Sequence, residues 1–261
     1  MTDIYIADFL ALMLIFMRVL AALFAAPAFS NPGFQSTAKT VFALFIAYIL
    51  FYVVDRPQEL QNIELYNFAL LGVKEVITGL IIGFSLNLIF YGISYAGSFI
   101  GFDMGLMMAQ ALNPLDETNN NVIGQVIYFM ALMIFFMIDG HHYLFRGLAL
   151  SYEVVPIGVY PINQELEELL VNYTSGIFII AVKIASPFLV SYMLIHIGEG
   201  VTSRVIPQMQ VFFVTQPIKV GLGLMFLGLL VPIYVYALKN MLEAYENSLY
   251  MLIRAMANDG G

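Results

Sequence analysis

No cysteine occurs in the chain, so disulfides, thiolate metal sites and cysteine nucleophiles are all excluded. Charge is the next scarcity: 11% of residues are charged against 61% hydrophobic, where soluble domains carry about 25% and about 45–50%. A water-soluble domain needs polar residues over most of its outside, so lipid or other apolar subunits must form much of this chain's surroundings. Basic residues are fewest, 10 against 18 acids for a formal charge of -8, and this balance argues against nucleic acid as a partner. The acids gather in residues 55–64 and 153–168. A repeat at fixed period is also missing, which leaves solenoids and duplicated transporters unsupported.

Long apolar runs fill the space. They cover residues 9–29, 40–54, 76–102, 122–138, 173–197 and 211–238, each near the roughly 17–25 residues of a spanning helix. They lack the alternation of a barrel strand, and lipid demands a self-satisfied backbone, so the predicted fold is all-α with about six apolar helical segments in a single membrane domain, 1–261. Asn31, Pro32 and Gly33, Arg56 and Pro57, and Asn113 and Pro114 separate the first four. Residues 155–168 hold Pro156, Gly158, Pro161 and three glutamates and read as a water-facing loop with an acidic helical turn. Asp3 and Asp8 stand where a signal peptide has bases, so the first segment reads as an uncleaved helix. Lys39, Arg204 and Lys219, placed in the cytoplasm by the positive-inside rule, favour an external amino terminus.

Three features do not suit a plain lipid-facing bundle. Arg18, Lys74, Glu75, Asp103, Lys183 and Glu199 put charge within or beside apolar helices, where mid-bilayer placement costs about 2.5–3.5 kcal/mol. Lys74 and Glu75 lie about 100° apart on a helix and must find separate partners. A proton relay is one reading; pairing between subunits is the preferred one. Gly97, Gly101 and Gly105 recur every fourth residue, after Gly79 and Gly83, a spacing that brings another helix close within the chain or from a neighbour. Met104, Met107 and Met108 precede a polar stretch, residues 110–121. Methionines there are either packing filler or a deformable seal, while such a stretch between apolar helices is tolerated only in water, in protein or along a cavity.

Catalytic constellations are absent, and the expectation is no enzyme and no cofactor. His141 and His142 are adjacent and point apart, with no cysteine or carboxylate cluster to complete a metal set, so no metal is expected there. His196 and Glu199 share a helix face, but without a second such pair they read as capping or pairing.

Three motifs resemble the FliR family of flagellar and type III secretion export-gate proteins. One is the run from Pro207 and Gln208 through Phe212, Phe213, Thr215, Gln216, Pro217 and Lys219 to Gly221 and Gly223; the family more often has Gly with an apolar residue where Thr215 and Gln216 stand. The second is Asp139-Gly140-His141-His142, similar to the family's Asn-Gly-His element, and the third is Val155-Pro156-Ile157-Gly158. The resemblance covers nearly the whole chain, with 1–66 matching only in hydrophobic pattern.

The resemblance implies a subunit of a helical conical pore with FliP-like and FliQ-like partners and other export-apparatus membrane proteins, in the bacterial inner (cytoplasmic) membrane at the flagellar basal body, passing unfolded exported proteins. It implies a FliP-like part, 1–168, and a FliQ-like hairpin with a C-terminal tail, 169–261. Residues 110–121 would be a plug loop carrying Gln110, Asn113, Pro114, Leu115, Asp116, Asn119 and Asn120, with Met104, Met107 and Met108 in the gasket region. It further implies that much apolar helix is sheathed by sister subunits. The alternative is a secondary transporter or channel for a small solute or ion, which should show two related halves around a charged midplane site.

Overall fold

The computed structural model describes residues 2–30, 33, 35–54, 63–106, 122–159, 162–208 and 210–257, without the side chains of 2–5, 28 and 212. Helix α1 runs over Thr2–Ala25, the single turn α2 over Pro27–Ser30, α3 over Ser36–Phe51, α4 over Leu65–Asp103, α5 over Val122–Met137, α6 over His141–Val154, α7 over Gln164–Val205, α8 over Val211–Leu229 and α9 over Val231–Ala257. The fold is all-α. Among the described residues three helices, Ile6–Ala25, Leu65–Asp103 and Gln164–Val205, are long and apolar enough to cross a membrane, and up to five spans result if the bent pairs α5/α6 and α8/α9 each count as one. The third breaker, with Asn113 and Pro114, lies outside the described residues, as do Asn31, Pro32, Arg56, Pro57 and Pro161.

Two segments are longer than hydropathy predicts. Helix α4 begins at Leu65, before Lys74 and Glu75 rather than after them. Helix α7 begins at Gln164 with Glu165 and Glu167 in its first turn, where acids complement the positive end of the helix dipole. Residues 155–158 alternate, with Val155 and Ile157 buried and Pro156 exposed. Within α7, Pro187 lacks the N–H that Lys183 would bond, and the Ser186 hydroxyl donates to the Lys183 carbonyl at 2.8 Å instead.

The chain divides into two compact units. Residues 1–88, 136–174 and 241–261 form the first. Its core holds Leu14, Ile15, Val19, Leu23, Ile82, Leu86, Leu148 and Leu252, and α1 packs on α3. Helix α4 lies close against α1 because of Gly79 and Gly83: a Cβ there would sit 2.1 Å from the Arg18 carbonyl oxygen and 2.2 Å from that of Ala22. These two glycines thus serve packing inside the chain.

Residues 89–135 and 175–240 form the second unit. Phe90 meets Tyr128 and Phe135 edge to face, and Phe188 meets Phe226. Gly97 faces Gly124, where a Cβ would come within 2.4 Å of the opposing Cα, and Gly101 is buried. Gly105 departs from the ladder. It lies past the end of α4 at φ 74°, the left-handed position that terminates helices and favours glycine.

Candidate functional site

In the first unit the site is built around Arg18, which is fully buried on α1. Its guanidinium donates to Glu75 of α4 through Nε at 2.6 Å and Nη2 at 3.1 Å. The remaining donors reach the Ser151 carbonyl and hydroxyl and the Val155 carbonyl, all at 3.1 Å. Beneath the plane lies the Tyr152 ring, its centroid 4.1 Å away. Every fork of a rigid five-donor group is thus used, which is the condition under which a buried charge is tolerated.

Lys74 and Glu75 find separate partners within the chain, on one peptide unit's worth of backbone: Glu75 accepts the Gly158 N–H at 2.9 Å, and Lys74 donates to the Gly158 carbonyl at 2.9 Å. Gly158 has φ 92°, and a Cβ on it would meet Leu71 at 2.8 Å. The turn that carries exposed Pro156 is therefore clamped from both sides, and this accounts physically for a Pro-hydrophobic-Gly motif.

The second unit carries its own polar cluster, on the antiparallel pair α7 and α8 and the end of α4. Lys219, with 2% of its side chain exposed, lies 2.8 Å from the Glu199 carboxylate. Glu199 also accepts from the Thr215 hydroxyl and lies 3.1 Å from His196 Nδ1. His196 Nε2 is 4.0 Å from Asp103. One turn away, the Tyr192 hydroxyl donates to the Lys219 carbonyl at 2.6 Å, and Gln216 Nε2 donates to the Met104 carbonyl at 2.5 Å. Met104 is buried, and Gly223 leaves space for its sulfur: a Cβ there would lie 2.6 Å from it.

The arrangement can hold opposite charges fixed in an apolar setting and can pin the end of α4. Among the residues singled out from sequence, it gathers Asp103, Met104, His196, Glu199, Thr215, Gln216, Lys219 and Gly223. Lys183, Pro207, Gln208, Phe213, Pro217 and Gly221 are exposed and lie apart from it. Met107, Met108, Gln110, Asn113, Pro114, Leu115, Asp116, Asn119 and Asn120 lie outside the described residues, as does the side chain of Phe212. Sequence reasoning did not give Lys219, Tyr192 or Gln216 a role in such a cluster. The signal was present in the alternation of polar residues at 215, 216 and 219 inside an apolar helix, which puts three polar groups within little more than one turn.

A third grouping sits at the break between α5 and α6. One ligand-capable atom from each of Asp139, His141 and His142 lies within 4.8 Å of the others, so the adjacent histidines do not diverge as a regular helix would require. Asp139 has φ 55° and accepts the His142 N–H at 3.0 Å, and Gly140 is buried.

Apolar helices of this length, with the buried charges Arg18, Glu75 and Lys219 paired inside the chain, define an α-helical membrane protein. The family described as bacterial export proteins, family 1, matches residues 9–245, and the chain belongs to it. It is 29% identical over 235 residues to the flagellar biosynthetic protein FliR of Bacillus subtilis (strain 168), covering 89% of this chain and 90% of that one. It is 30% identical over 220 residues to the FliR protein of Pectobacterium carotovorum subsp. carotovorum, covering 84% and 83%. With the Escherichia coli (strain K12) protein the identity is 25% over 219 residues, covering 83% and 82%.

Proposed function

We propose that this chain is a subunit of the flagellar type III protein-export gate, sitting at the basal body in the bacterial inner membrane. There it forms, with FliP-like and FliQ-like subunits, the pore through which unfolded flagellar proteins pass. Family membership over residues 9–245 is the main support. A physical observation carries the pore reading further. Helices α4 and α7 have 39 and 42 residues, hence lengths of about 58 and 63 Å at 1.5 Å per residue, twice the ~30 Å hydrocarbon core. Both keep apolar residues exposed, among them Leu70, Val73 and Phe84 on α4 and Val171, Ile179, Val190 and Val201 on α7. Apolar surface longer than the bilayer is thick requires a protein sheath for the remainder.

In this reading residues 110–121 plug the lumen, 1–168 pack as the FliP-like part, and 169–261 supply the FliQ-like hairpin. The clamp on the end of α4 by Gln216 lies immediately before that stretch. Deleting residues 113–120 is expected to leave the assembled complex recoverable and to make cells leak small ions. An assembled mutant complex with unchanged leakage overturns the plug. Purification distinguishes the gate from a carrier: the chain should be recovered in a large complex with two partner proteins, and a small self-sufficient oligomer would overturn the gate itself.

A further inference from the structure

We infer that Asp139, His141 and His142 form a binding site for a borderline divalent transition cation, of the zinc class, at the break between α5 and α6; this is independent of the export reading. Three observations converge on it. The first is geometric: the three donor atoms lie within 4.8 Å of one another. Tetrahedral donors about 2.0–2.1 Å from an ion are themselves about 3.4 Å apart. Asp139 and His142 are exposed and have room to rotate toward half-buried His141.

The second is an unmet polar demand. His141 Nδ1 is buried and has no hydrogen-bond partner among the described residues, although its ring neighbours Phe136 and Phe145 and lies tilted against that of His142, with centroids 4.3 Å apart. A metal-bound imidazole ordinarily gives its second nitrogen to a water or an oxygen acceptor, so the buried atom marks where such a group fits. The third is backbone shape. Asp139 occupies the left-handed region, φ 55°, which non-glycine residues adopt uncommonly and which Asp tolerates better than most. That conformation lets three residues within a stretch of four present donors to a common point, as a regular helix cannot.

Charge sets the ligand class. The N-terminus of α6 repels a cation, while the Asp139 carboxylate and the carbonyl end of α5 attract one. Two imidazoles with one carboxylate suit Zn²⁺, Co²⁺ or Ni²⁺ and disfavour Mg²⁺ and Ca²⁺, which take oxygen ligands. The protein supplies three ligands, leaving a position for water or for a donor from a neighbouring subunit. The bound ion would staple the helix break, since all three ligands lie at or beside it.

The test uses the tag-free protein in its purified assembly, stripped with chelator and titrated with ZnCl₂ by calorimetry, with metal content read by mass spectrometry. The expected result is one Zn²⁺ per chain, a ligand-field absorption band on Co²⁺ substitution, and a rise in thermal midpoint on adding Zn²⁺. Asp139→Asn keeps the size and the left-handed tolerance but removes the anionic ligand. His142→Ala changes an exposed side chain. Each should weaken Zn²⁺ binding at least about tenfold while leaving the elution profile and circular dichroism unchanged. No stoichiometric Zn²⁺ uptake by the unmodified assembly, or equal affinity in either variant, overturns the site. Displacement of Zn²⁺ by equimolar Mg²⁺ overturns the assignment of ligand class.

Discussion

Arg18 and Glu75 illustrate how a charge survives inside an apolar chain: each is fully buried, and each is matched atom by atom by the other, by Ser151, by Val155 and by Gly158. Removing one partner strands the other in a medium that cannot solvate it, at a cost of about 3–5 kcal/mol. Glu75→Gln should therefore sharply lower the thermal midpoint of the purified chain. The pair Arg18→Met with Glu75→Leu should be milder than Glu75→Gln alone, because no orphan charge remains; a double variant no better than the single one would refute this account. Gly158→Ala tests the clamp separately. Its positive φ and the 2.8 Å approach of Leu71 add strain of about 1–3 kcal/mol, readable as a comparable loss of stability, whereas substitution at exposed Pro156 should be felt less.

At the level of elements, the apolar runs were legible and their starts were not. Residues 76–102 and 173–197 stand out in hydropathy, yet the helices begin at Leu65 and Gln164. The polar turns that hid those starts are stabilised by partners far along the chain, Arg18 and Gly158 for α4, which no local window contains. The spacing of Gly79 and Gly83 was legible because helix geometry is periodic, while the identity of the opposing helix, α1, was not. The Asp139 grouping is hidden for the opposite reason: helical spacing places His141 and His142 but says nothing of Asp139, which sits before the helix at φ 55°. One element-scale consequence is direct. Gly79→Val should prevent α4 from seating on α1, since even a Cβ would meet the Arg18 carbonyl oxygen at 2.1 Å, whereas Gly228→Ala, with nothing within 4 Å, should leave the chain as stable or raise its stability by up to about 1 kcal/mol; protease resistance of the two purified variants distinguishes them.

For the whole molecule, the decisive matter is what covers the exposed face of α7. Ile179, Val190 and Val201 are 58%, 62% and 61% exposed, and the spacing of eleven residues returns each to nearly the same side of the helix. The outer two lie 22 residues apart, about 33 Å along the axis, so one side of one helix carries apolar residues over more than the ~30 Å hydrocarbon core. If lipid alone covered this face, an upright α7 would leave at least one of the three among headgroups, and only a tilt of about 25° would bring all three into the hydrocarbon core. A protein sheath removes the conflict, because sister helices can follow α7 beyond the bilayer. A photo-activated crosslinking residue placed singly at 179, 190 and 201 should therefore give protein adducts at all three positions in cells that assemble the export apparatus, and the adducts at the outer positions should vanish when the partner subunits are deleted. Lipid adducts alone at every position would mean that α7 is an ordinary span, and the gate reading would fall with the sheath.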